Sequence, residues 1–385
     1  MGFHLLSSLF CKEDKFRAHI LPYLTRRARR KALSLVRQKY PELFKGVDED
    51  VTCRHKELWS KLCGDCVDDW LRFLSNISGI VDYRYVPHDL YVAYIDPVLN
   101  DYKRRDLECE DKNLLDMFVD LRYTPRCLVR YMRGMFMDGG YNWLSPSEVN
   151  QILSLNHGDC IGKVCTGSLG GHGVICWKYD NGRYVSGECE LSAEFIQGIG
   201  CESYVVQERV SQCEFSAQFN PSSANTFRMI TLRCPWNGEV VLLRSGMRIG
   251  VTDAAIDNLS AGGICVVVDD CGNLSKTGYS WIMKYGFNRY KEHPTSHIPF
   301  EGKRHPYFEK MKSVVLSLAA KIPNMNLLGW DVMVDSNGEV KILEVNATCI
   351  GTDWVQYDFG PLFGKYTDDV VAWCANHREL ASNVV

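Results

Sequence analysis

Residues 327–350 read LLGWDVMVDSNGEVKILEVNATCI. Two runs rich in β-forming residues, Trp330 to Val334 and Val340 to Val345, flank the segment Asp-Ser-Asn-Gly at 335–338. Asn-Gly between two such runs is a strong signal for a tight hairpin turn. The sequence therefore predicts two antiparallel strands joined by a short turn, and we call residues 330–346 the acidic ribbon.

The open end of the acidic ribbon carries three oxygen-bearing side chains. Asp331 lies near the start of the first strand, and Glu344 and Asn346 lie near the end of the second. A hairpin returns its far end beside its beginning, and residues two apart on a strand share a face. Two carboxylates and an amide are ligands that Mg²⁺ takes together with phosphate oxygens. The pattern predicts a magnesium site, and it leaves open an ordinary polar surface hairpin.

Composition limits the class of protein. The chain has 385 residues, 46% hydrophobic and 24% charged, which is enough for a globular protein of two or three lobes. A net charge of −3 argues against a general nucleic-acid-binding protein. No apolar run is long enough for a membrane span, and the first ten residues lack the basic start of a signal peptide. We therefore expect a cytoplasmic protein with no nucleic-acid partner and no transmembrane segment.

Residues 1 to about 105 are predicted to be mainly helical. A basic run, Arg-Arg-Ala-Arg-Arg-Lys, occupies residues 26–31. Two interpretations remain open, peripheral contact with an anionic surface such as phospholipid and a solvated helix face. The 17 cysteines are scattered, and Cys63 and Cys66 form one CxxC without a second pair, so we expect free thiols in a reducing compartment.

A glycine-rich loop is predicted between two strands at residues 160–176, CIGKVCTGSLGGHGVIC. Glycines allow backbone N–H groups to line an anion-binding concavity, and Lys163 on the preceding strand can neutralise phosphate charge. The segment is neither a P-loop nor a dinucleotide-binding fingerprint, because the lysine precedes the loop and a strand follows it. A flexible hairpin tip is the alternative.

Further strands and helices are predicted downstream. Arg228 alternates with apolar neighbours on a strand, where it faces a solvated cleft or pairs on the sheet surface. A second glycine turn at 257–263 precedes an apolar strand at 264–268. Helices are predicted at 306–322 and 367–377, and a capping box with proline starts one at Ser145.

The order of these signals resembles the ATP-grasp superfamily, and Asp331 precedes Glu344 by 13 residues as in the D-alanine–D-alanine ligases. Several details are closer to its sugar-transfer-associated branch: Gln207-Glu208-Arg209, Asn225-x-x-Arg228, Leu243-Arg244-x-Gly246, Asp257-Asn258 and Gly329-Trp330-Asp331. The resemblance covers about residues 107 to 370. It implies an α+β fold of two lobes that grip ATP, with an N-lobe at 107–206, a C-lobe at 207–385 and a helical N-terminal region at 1–106.

The resemblance also implies roles for individual residues. Catalytic roles fall on Arg228, beside the transferred phosphoryl group, and on Lys163. The implied ATP-binding set is Lys112, Lys163, Gly167, Ser168, Gly170, Gly171, Gly173, Gln207, Glu208, Val210 and Glu214, with Gln212 as the alternative to Glu214 at the ribose. The implied ligands of two Mg²⁺ ions are Asp331, Glu344 and Asn346. The implied substrate contacts are Arg244, Asn258, Gly262 and Gly263. After Asn346 the chain departs from the usual pattern with Ala-Thr-Cys-Ile-Gly at 347–351, which leaves the substrate open.

The activity implied by the resemblance is that of an ATP- and Mg²⁺-dependent carboxylate–amine ligase that forms an acylphosphate. Its substrates would be a small-molecule carboxylate and an amine, with a sugar acid, an amino acid or another small metabolite as the acid. Two alternatives remain, a kinase that phosphorylates a hydroxyl of a sugar or small molecule and a non-catalytic nucleotide-binding partner of a sugar transferase. A homodimer is also left open.

Overall fold

The computed structural model of the chain describes residues 21–100, 110–165, 173–252, 257, 259–280, 286, 288–323, 325–347, 350–352 and 354–381. Within these residues a helical N-terminal region precedes two antiparallel sheets, so the predicted α+β class is confirmed. In the same described part of the chain, no helix combines the length and the apolar character that crossing a membrane requires.

The N-terminal region is helical, as predicted. It contains α1 (Leu21–Lys39), α2 (Glu49–Cys63), α3 (Asp69–Ser78), α4 (His88–Leu90), a π-helical turn (Tyr91–Ile95), α5 (Asp96–Leu99) and a 3-10 helix (Pro41–Phe44). Asp48 starts α2 by accepting hydrogen bonds from the amides of Asp50 and Val51 at 3.0 and 3.4 Å. Gly64 ends this helix at φ +74°, which an L side chain rarely adopts.

The basic run at 26–31 is divided between two environments. Arg26 and Arg30 reach the buried Asp89 carboxylate at 3.4 and 3.0 Å, so they fasten α1 to α4. Arg27, Arg29 and Lys31 are exposed. Only the exposed half of the run therefore remains available to an anionic surface.

The first sheet has eight described strands in the order β3-β2-β1-β8-β4-β5-β6-β7. They are β1 (Cys127–Met132), β2 (Met135–Met137), β3 (Trp143–Leu144), β4 (Cys160–Val164), β5 (Val174–Asp180), β6 (Arg183–Ser186), β7 (Cys189–Glu190) and β8 (Ser203–Glu208). This lobe also contains 3-10 helices (Lys112–Leu114, Leu121–Tyr123), α6 (Leu115–Phe118), α7 (Pro146–Leu155) and α8 (Ala193–Gly198). The capping box predicted at Ser145 is present at the start of α7, with Glu148 as its second member.

The second sheet has seven described strands in the order β13-β12-β11-β10-β9-β14-β15. They are β9 (Phe227–Arg233), β10 (Val240–Ile249), β11 (Ile264–Val268), β12 (Leu274–Tyr279), β13 (Arg289–Tyr290), β14 (Leu327–Val334) and β15 (Val340–Asn346). Further helices are α9 (Glu214–Ala217), a 3-10 helix (Leu259–Ala261), α10 (Phe308–Ala319), α11 (Gln356–Phe359), a 3-10 helix (Gly364–Tyr366), α12 (Thr367–Asn376) and α13 (Arg378–Ala381). One face packs on α10 through residues such as Met229, and Ile230 on the other face packs toward the N-terminal helices.

The acidic ribbon is the predicted hairpin, β14 and β15. The Asp335 carboxylate accepts hydrogen bonds from the amides of Asn337 and Glu339, both at 2.9 Å, and Gly338 takes φ +78° in the turn. The first strand begins at Leu327, three residues earlier than predicted, because Leu327 pairs with β9 and donates its N–H to Asn100 Oδ1 at 2.9 Å. The N-terminal region thus holds the start of the ribbon.

Two buried histidines predict an acid-sensitive fold. Burial lowers the pKa of His55 and of His305 from 6.5 to about 4. The unfolded chain therefore binds protons between these values that the folded chain excludes, so stability is complete above pH 6.5 and falls as the pH drops toward 4. We expect the free energy of unfolding to fall by about 2 kcal/mol per ring between pH 7.5 and 5.

Urea unfolding at pH 7.5 and pH 5 measures this loss. His305 lies between the rings of Phe215 and Phe227, each centred 4.8 Å away, so His305→Phe should reduce the difference between the two pH values. Substituting the exposed His157 with glutamine should leave the difference unchanged. An undiminished pH dependence in His305→Phe would contradict the assignment.

Candidate nucleotide and metal site

One row of charged side chains crosses three strands of the second sheet. Arg228 on β9 is the direct partner of Asp331 on β14, which is the direct partner of Glu344 on β15. Asn346 pairs with Gly329, two residues farther along the same face. The register shifts directly after Asp331, so β15 has a bulge beside the row. The three predicted metal ligands therefore lie together on the face opposite α10.

Asp331 is held by two arginines, of which sequence reasoning identified only Arg228. Arg228 donates through Nε and Nη2 to the Asp331 carboxylate at 2.6 and 3.3 Å, and Arg248 Nη2 lies 2.9 Å from Oδ2. Burial raises the pKa of the Asp331 carboxyl, but Arg228 and Arg248 outweigh that effect and hold the pKa below its ordinary value. Asp331 is therefore an ionised carboxylate at the centre of a buried charge cluster.

The charge cluster continues to Asp257. Arg248 donates through Nε and Nη2 to the Thr226 hydroxyl at 3.1 and 2.7 Å, and its Nε lies 3.6 Å from Asp257 Oδ2. The same Asp257 oxygen accepts a hydrogen bond from the amide of Thr226 at 2.8 Å. Burial raises the pKa of Asp257, and Arg248 opposes this rise. Two carboxyl groups and two guanidinium groups thus alternate in one buried cluster.

Lys112 joins the two lobes at this row. Its ammonium lies 3.1 Å from Glu344 Oε1, and its side chain is 9% exposed. Asp111 fixes the start of its short helix by accepting the amide of Asn113 at 2.9 Å. Arg130 supports the same turn because it donates to the carbonyl of Asn113. The ion pair places a cation of the first lobe against the acidic ribbon.

Lys163 lies on β4, where it pairs with Val174 of β5 and Val205 of β8. Burial and the nearby positive charge of Lys112 lower the pKa of Lys163, while Glu344 and Asp331 raise it. Charges that act on one another in this way lie close together. Lys163 therefore carries its charge in the electrostatic field of Lys112 and of the two ribbon carboxylates.

The glycine-rich loop is described only at its end. Gly173 takes φ +78°, and its carbonyl accepts the amide of Val164 at 3.1 Å, which closes the β4–β5 hairpin. A Cβ atom at Gly173 would approach Val164 Cγ2 to 2.7 Å, so only glycine fits there. Gly167, Ser168, Gly170 and Gly171 of the predicted phosphate loop lie outside the described residues, as does Asn258 of the predicted substrate set.

Gln207 at the end of β8 carries a buried acceptor. The register places it on the same face of the first sheet as Lys163, opposite Ile161. The residue is 4% exposed, and its Oε1 has no hydrogen-bond partner among the described residues. A buried acceptor without a partner fits a ligand that supplies an N–H or O–H donor.

The other predicted nucleotide contacts differ in what their side chains do. The Glu208 carboxylate accepts a hydrogen bond from the amide of Arg126 at 3.1 Å. Val210 is half-buried in the loop after β8. Both ends of the Gln212 side-chain amide are hydrogen-bonded to the segment 220–225: Nε2 donates to two carbonyls, and Oε1 accepts from a backbone amide. Glu214 is exposed in the first turn of α9. Of the two ribose candidates, Glu214 is therefore the one whose side chain is exposed to solvent.

The predicted substrate residues lie farther from the ribbon. Arg244 is half-buried on β10, where it pairs with Ile230. Gly262, at φ +99°, and the buried Gly263 precede β11, and β10 separates them from β9.

The residues present fit a bound magnesium nucleotide. Asn346 donates its Nδ2 to the carbonyl of Gly329 at 3.3 Å, which leaves Oδ1 as the ligand atom of this amide. Hard oxygen donors on the ribbon suit Mg²⁺, and the surrounding cations suit a triphosphate. The orphaned Oε1 of Gln207 suits the amino group of a base. Within the described residues, no group of three or more His, Cys, Asp or Glu side chains is placed to hold a metal.

Comparisons with known proteins agree with the motif order. The sequence model of the family described as "Sugar-transfer associated ATP-grasp" matches residues 145–360, more than half of the chain. This match confirms the resemblance identified from the motifs. The search of curated protein sequences finds no match.

Solved structures similar to this chain share low sequence identity with it. Biotin carboxylase from Campylobacter jejuni is 10% identical over 70% of this chain and 46% of its own, with a TM-score of 0.40. D-alanyl-alanine synthetase A from Vibrio cholerae is 13% identical over 70% and 64%, with a TM-score of 0.38. N5-carboxyaminoimidazole synthetase from Staphylococcus aureus, complexed with ADP, is 10% identical over 65% and 50%, with a TM-score of 0.37. This chain covers less than two thirds of the length of each structure.

Proposed function

The chain belongs to the sugar-transfer associated ATP-grasp family, and on this basis we propose that it is an ATP- and Mg²⁺-dependent carboxylate–amine ligase. Its acid substrate is a sugar acid, an amino acid or another small metabolite, and it acts in the cytoplasm. The observation that carries the proposal is the contact at the acidic ribbon, where the ammonium of Lys112 lies 3.1 Å from Glu344 Oε1.

The residues that would hold the nucleotide come from both lobes. Lys112 and Lys163 would bind the phosphates, and the buried Oε1 of Gln207 would accept the amino group of the base. Asp331, Glu344 and Asn346 would hold Mg²⁺, for which we propose two ions. Bound Mg²⁺ supplies positive charge that offsets the negative charge developing on the phosphoryl oxygens.

The proposed reaction has two steps. An oxygen of the substrate carboxylate attacks the γ-phosphorus of ATP, the bond to the β–γ bridging oxygen breaks, and ADP leaves an acylphosphate. The amine then attacks the acyl carbon, the carbon–oxygen bond to phosphate breaks, and inorganic phosphate leaves as the amine loses a proton. Arg228 and Arg248 are fixed by Asp331 beside this centre, so their charges can stabilise the oxyanions without reorganisation.

Hydroxylamine trapping tests the reaction type. The protein is incubated with Mg²⁺, ATP and a panel of sugar acids and amino acids, with and without hydroxylamine. A hydroxamate formed with release of ADP supports the acylphosphate. A stable phosphorylated alcohol would identify a kinase, and nucleotide binding without any turnover would identify a non-catalytic partner of a sugar transferase.

Lys163→Ala is expected to weaken binding of a non-hydrolysable ATP analogue by roughly 10- to 100-fold. A charge-assisted hydrogen bond is worth about 1.5–3 kcal/mol, and each 1.4 kcal/mol is about tenfold in affinity. Isothermal titration calorimetry with Mg²⁺ present measures the change. Lys178→Ala serves as the matched control, because Lys178 is exposed on the neighbouring strand β5. Equal affinities for the two variants would remove Lys163 from the phosphate site.

A further inference from the structure

The CxxC segment at residues 63–66 joins α2 to α3 and takes no part in the proposed ligase site. Cys63 is the last residue of α2, and Gly64 leaves the helix at φ +74° while its N–H bonds the carbonyl of Ser60 at 2.8 Å. Cys63 and Cys66 are free cysteines whose side chains are hydrogen-bonded to each other. We call residues 63–66 the dithiol turn.

The two thiols of the dithiol turn differ in exposure. Cys63 is half-buried, whereas Cys66 is only 6% exposed. A dissolved reagent therefore reaches Cys63 first, and Cys66 is the thiol shielded from it. Cysteines that sense oxidants combine an accessible, readily ionised thiol with a second thiol close enough to displace what the first has bound.

Helix α1 brings positive charge to the dithiol turn. Arg26 donates through Nη2 to the carbonyl of Asp65 at 3.2 Å and through Nε to the buried Asp89 carboxylate at 3.4 Å. Arg30 Nε donates to the same carboxylate oxygen at 3.0 Å, so two guanidinium groups share one carboxylate. The protonated thiol of Cys63 donates to the Asp65 carbonyl at 3.0 Å. Because Arg26 bonds this carbonyl too, it stays hydrogen-bonded when Cys63 loses its proton.

The surroundings favour a thiolate at Cys63. The hydrogen bond from Cys66 lowers the pKa of the Cys63 thiol from 9.0 to about 7; Arg26 and Arg30 also lower it, and burial and Asp89 oppose them. The same hydrogen bond, together with burial, raises the pKa of Cys66. The thiolate is the form that attacks a disulfide. At neutral pH the half-buried thiol is thus the nucleophile, and the buried one is its hydrogen-bond donor.

We propose that the dithiol turn is a site of thiol–disulfide exchange, in which Cys63 attacks, Cys66 resolves, and Arg26 and Arg30 stabilise the Cys63 thiolate. The oxidant is a low-molecular-weight disulfide. In a reducing compartment the dithiol is the resting form. The site is independent of the proposed ligase activity, because it shares no residue with the nucleotide and metal site.

The proposed exchange has two displacements. The Cys63 thiolate attacks one sulfur of the small disulfide, whose S–S bond breaks, and one small thiolate leaves. Cys66 no longer donates to a thiolate at this stage, so the interaction that raised its pKa is gone. Cys66 then loses its proton and attacks the Cys63 sulfur, and the second small thiolate leaves. The protein loses two electrons and two protons, and the small disulfide becomes two thiols.

Peptide mass spectrometry on the full chain tests the exchange. The reduced protein is equilibrated at neutral pH with mixtures of oxidised and reduced glutathione and quenched with N-ethylmaleimide. Trypsin then cuts after Lys61 and Arg72, which releases both cysteines in one peptide. We expect this peptide to lack two hydrogen atoms and to carry no maleimide, and to return to the dithiol in excess reduced glutathione. Maleimide on both cysteines at every mixture, including oxidised glutathione alone, overturns the proposal.

Variants test the roles of the two thiols. Cys66→Ala should stop the exchange after its first displacement, so glutathione stays bound to Cys63. Cys63→Ser should leave Cys66 without glutathione. Cys53→Ser is the control, because Cys53 is an exposed cysteine on the same helix α2, and the disulfide should form as in the wild type. Glutathione on Cys66 in Cys63→Ser, and none on Cys63 in Cys66→Ala, overturns the assignment of roles.

An arginine pair on α1 tests the electrostatic part of the proposal. In the Cys66→Ala background, Arg26→Gln should slow glutathione transfer to Cys63 by roughly twofold or more, because a smaller fraction of the thiol is ionised. Arg27→Gln is the matched control, since Arg27 is the exposed neighbour on the same helix. Equal rates in the two arginine variants overturn the role given to Arg26.

Discussion

Glu344→Gln is expected to lower ATP-dependent turnover by roughly 10³-fold while the protein stays folded. The substitution keeps the shape of the side chain and removes one negative charge from the proposed metal set. Charge stabilisation by a bound metal is worth several kcal/mol, and 1.36 kcal/mol is tenfold in rate. Glu344 is 29% exposed, and its described ion pair is the one with Lys112, so its loss should cost little stability. Turnover at saturating Mg²⁺, together with thermal unfolding, measures both effects.

A control on the same ribbon separates the metal site from a general charge effect. Glu339 lies in the ribbon's turn, where its exposed carboxylate pairs with Lys310 at 2.8 Å. Glu339→Gln should therefore leave turnover unchanged. Wild-type turnover in Glu344→Gln would remove Glu344 from the metal site. Equal losses in both variants would show that the ribbon's overall charge, and not a ligand, controls activity.

Asp331→Leu is expected to lower the free energy of unfolding by about 3–5 kcal/mol, because removing one partner of a buried charge network leaves the others uncompensated. Arg228 and Arg248 would both lose their shared carboxylate, and their side chains are only 9% and 7% exposed. Urea unfolding at neutral pH measures the loss. For the same reason, a loss of activity in any Asp331 variant tests the metal site less cleanly than Glu344→Gln does.

A double-mutant cycle tests whether the arginines cause the instability. Adding Arg248→Leu to Asp331→Leu removes one of the stranded cations, so the pair should cost less than the sum of the two single variants. Glu190→Gln is the control, because Glu190 forms an exposed pair with Arg183 and should change stability by less than about 1 kcal/mol. Strictly additive effects of Asp331→Leu and Arg248→Leu would show that the two side chains do not interact.

The sequence predicted the acidic ribbon because the information is local. Alternating β-forming residues and an Asn-Gly turn specify a hairpin without help from distant residues. Side-chain alternation then placed Glu344 and Asn346 on one face, as the structure has them. The order of motifs along the chain was also sufficient to identify the family that the comparison matched.

The sequence did not reveal Arg248, although it lies in the charge cluster. Arg244 and Arg248 are both on β10, and their spacing shows only that they share a face. Which face they share depends on how β10 pairs with β9. The register of this pairing shifts between Leu242 and Arg244, so the partners on β9 cannot be found by counting residues along β10. Alternation along one strand gives no information about register with another.

Gln212 and the basic run show the same limit. By position Gln212 is nearly as good a ribose candidate as Glu214, but three hydrogen bonds to the 220–225 segment occupy its amide. Arg26 and Arg30 read as part of a uniform basic surface, yet both point to Asp89. In each case the residue that pairs with the side chain is distant along the chain or lies in a loop whose conformation the composition does not specify.

The sequence by itself determined the hairpin, the helical character of the N-terminal region and the oxygen-bearing side chains of the ribbon, because these follow from neighbouring residues. Only the tertiary structure decided which charges are paired. It brought Lys112 to Glu344 and set two arginines on Asp331. The physical reason is that charges interact through space over a few ångströms, whereas the sequence fixes only separations along the chain.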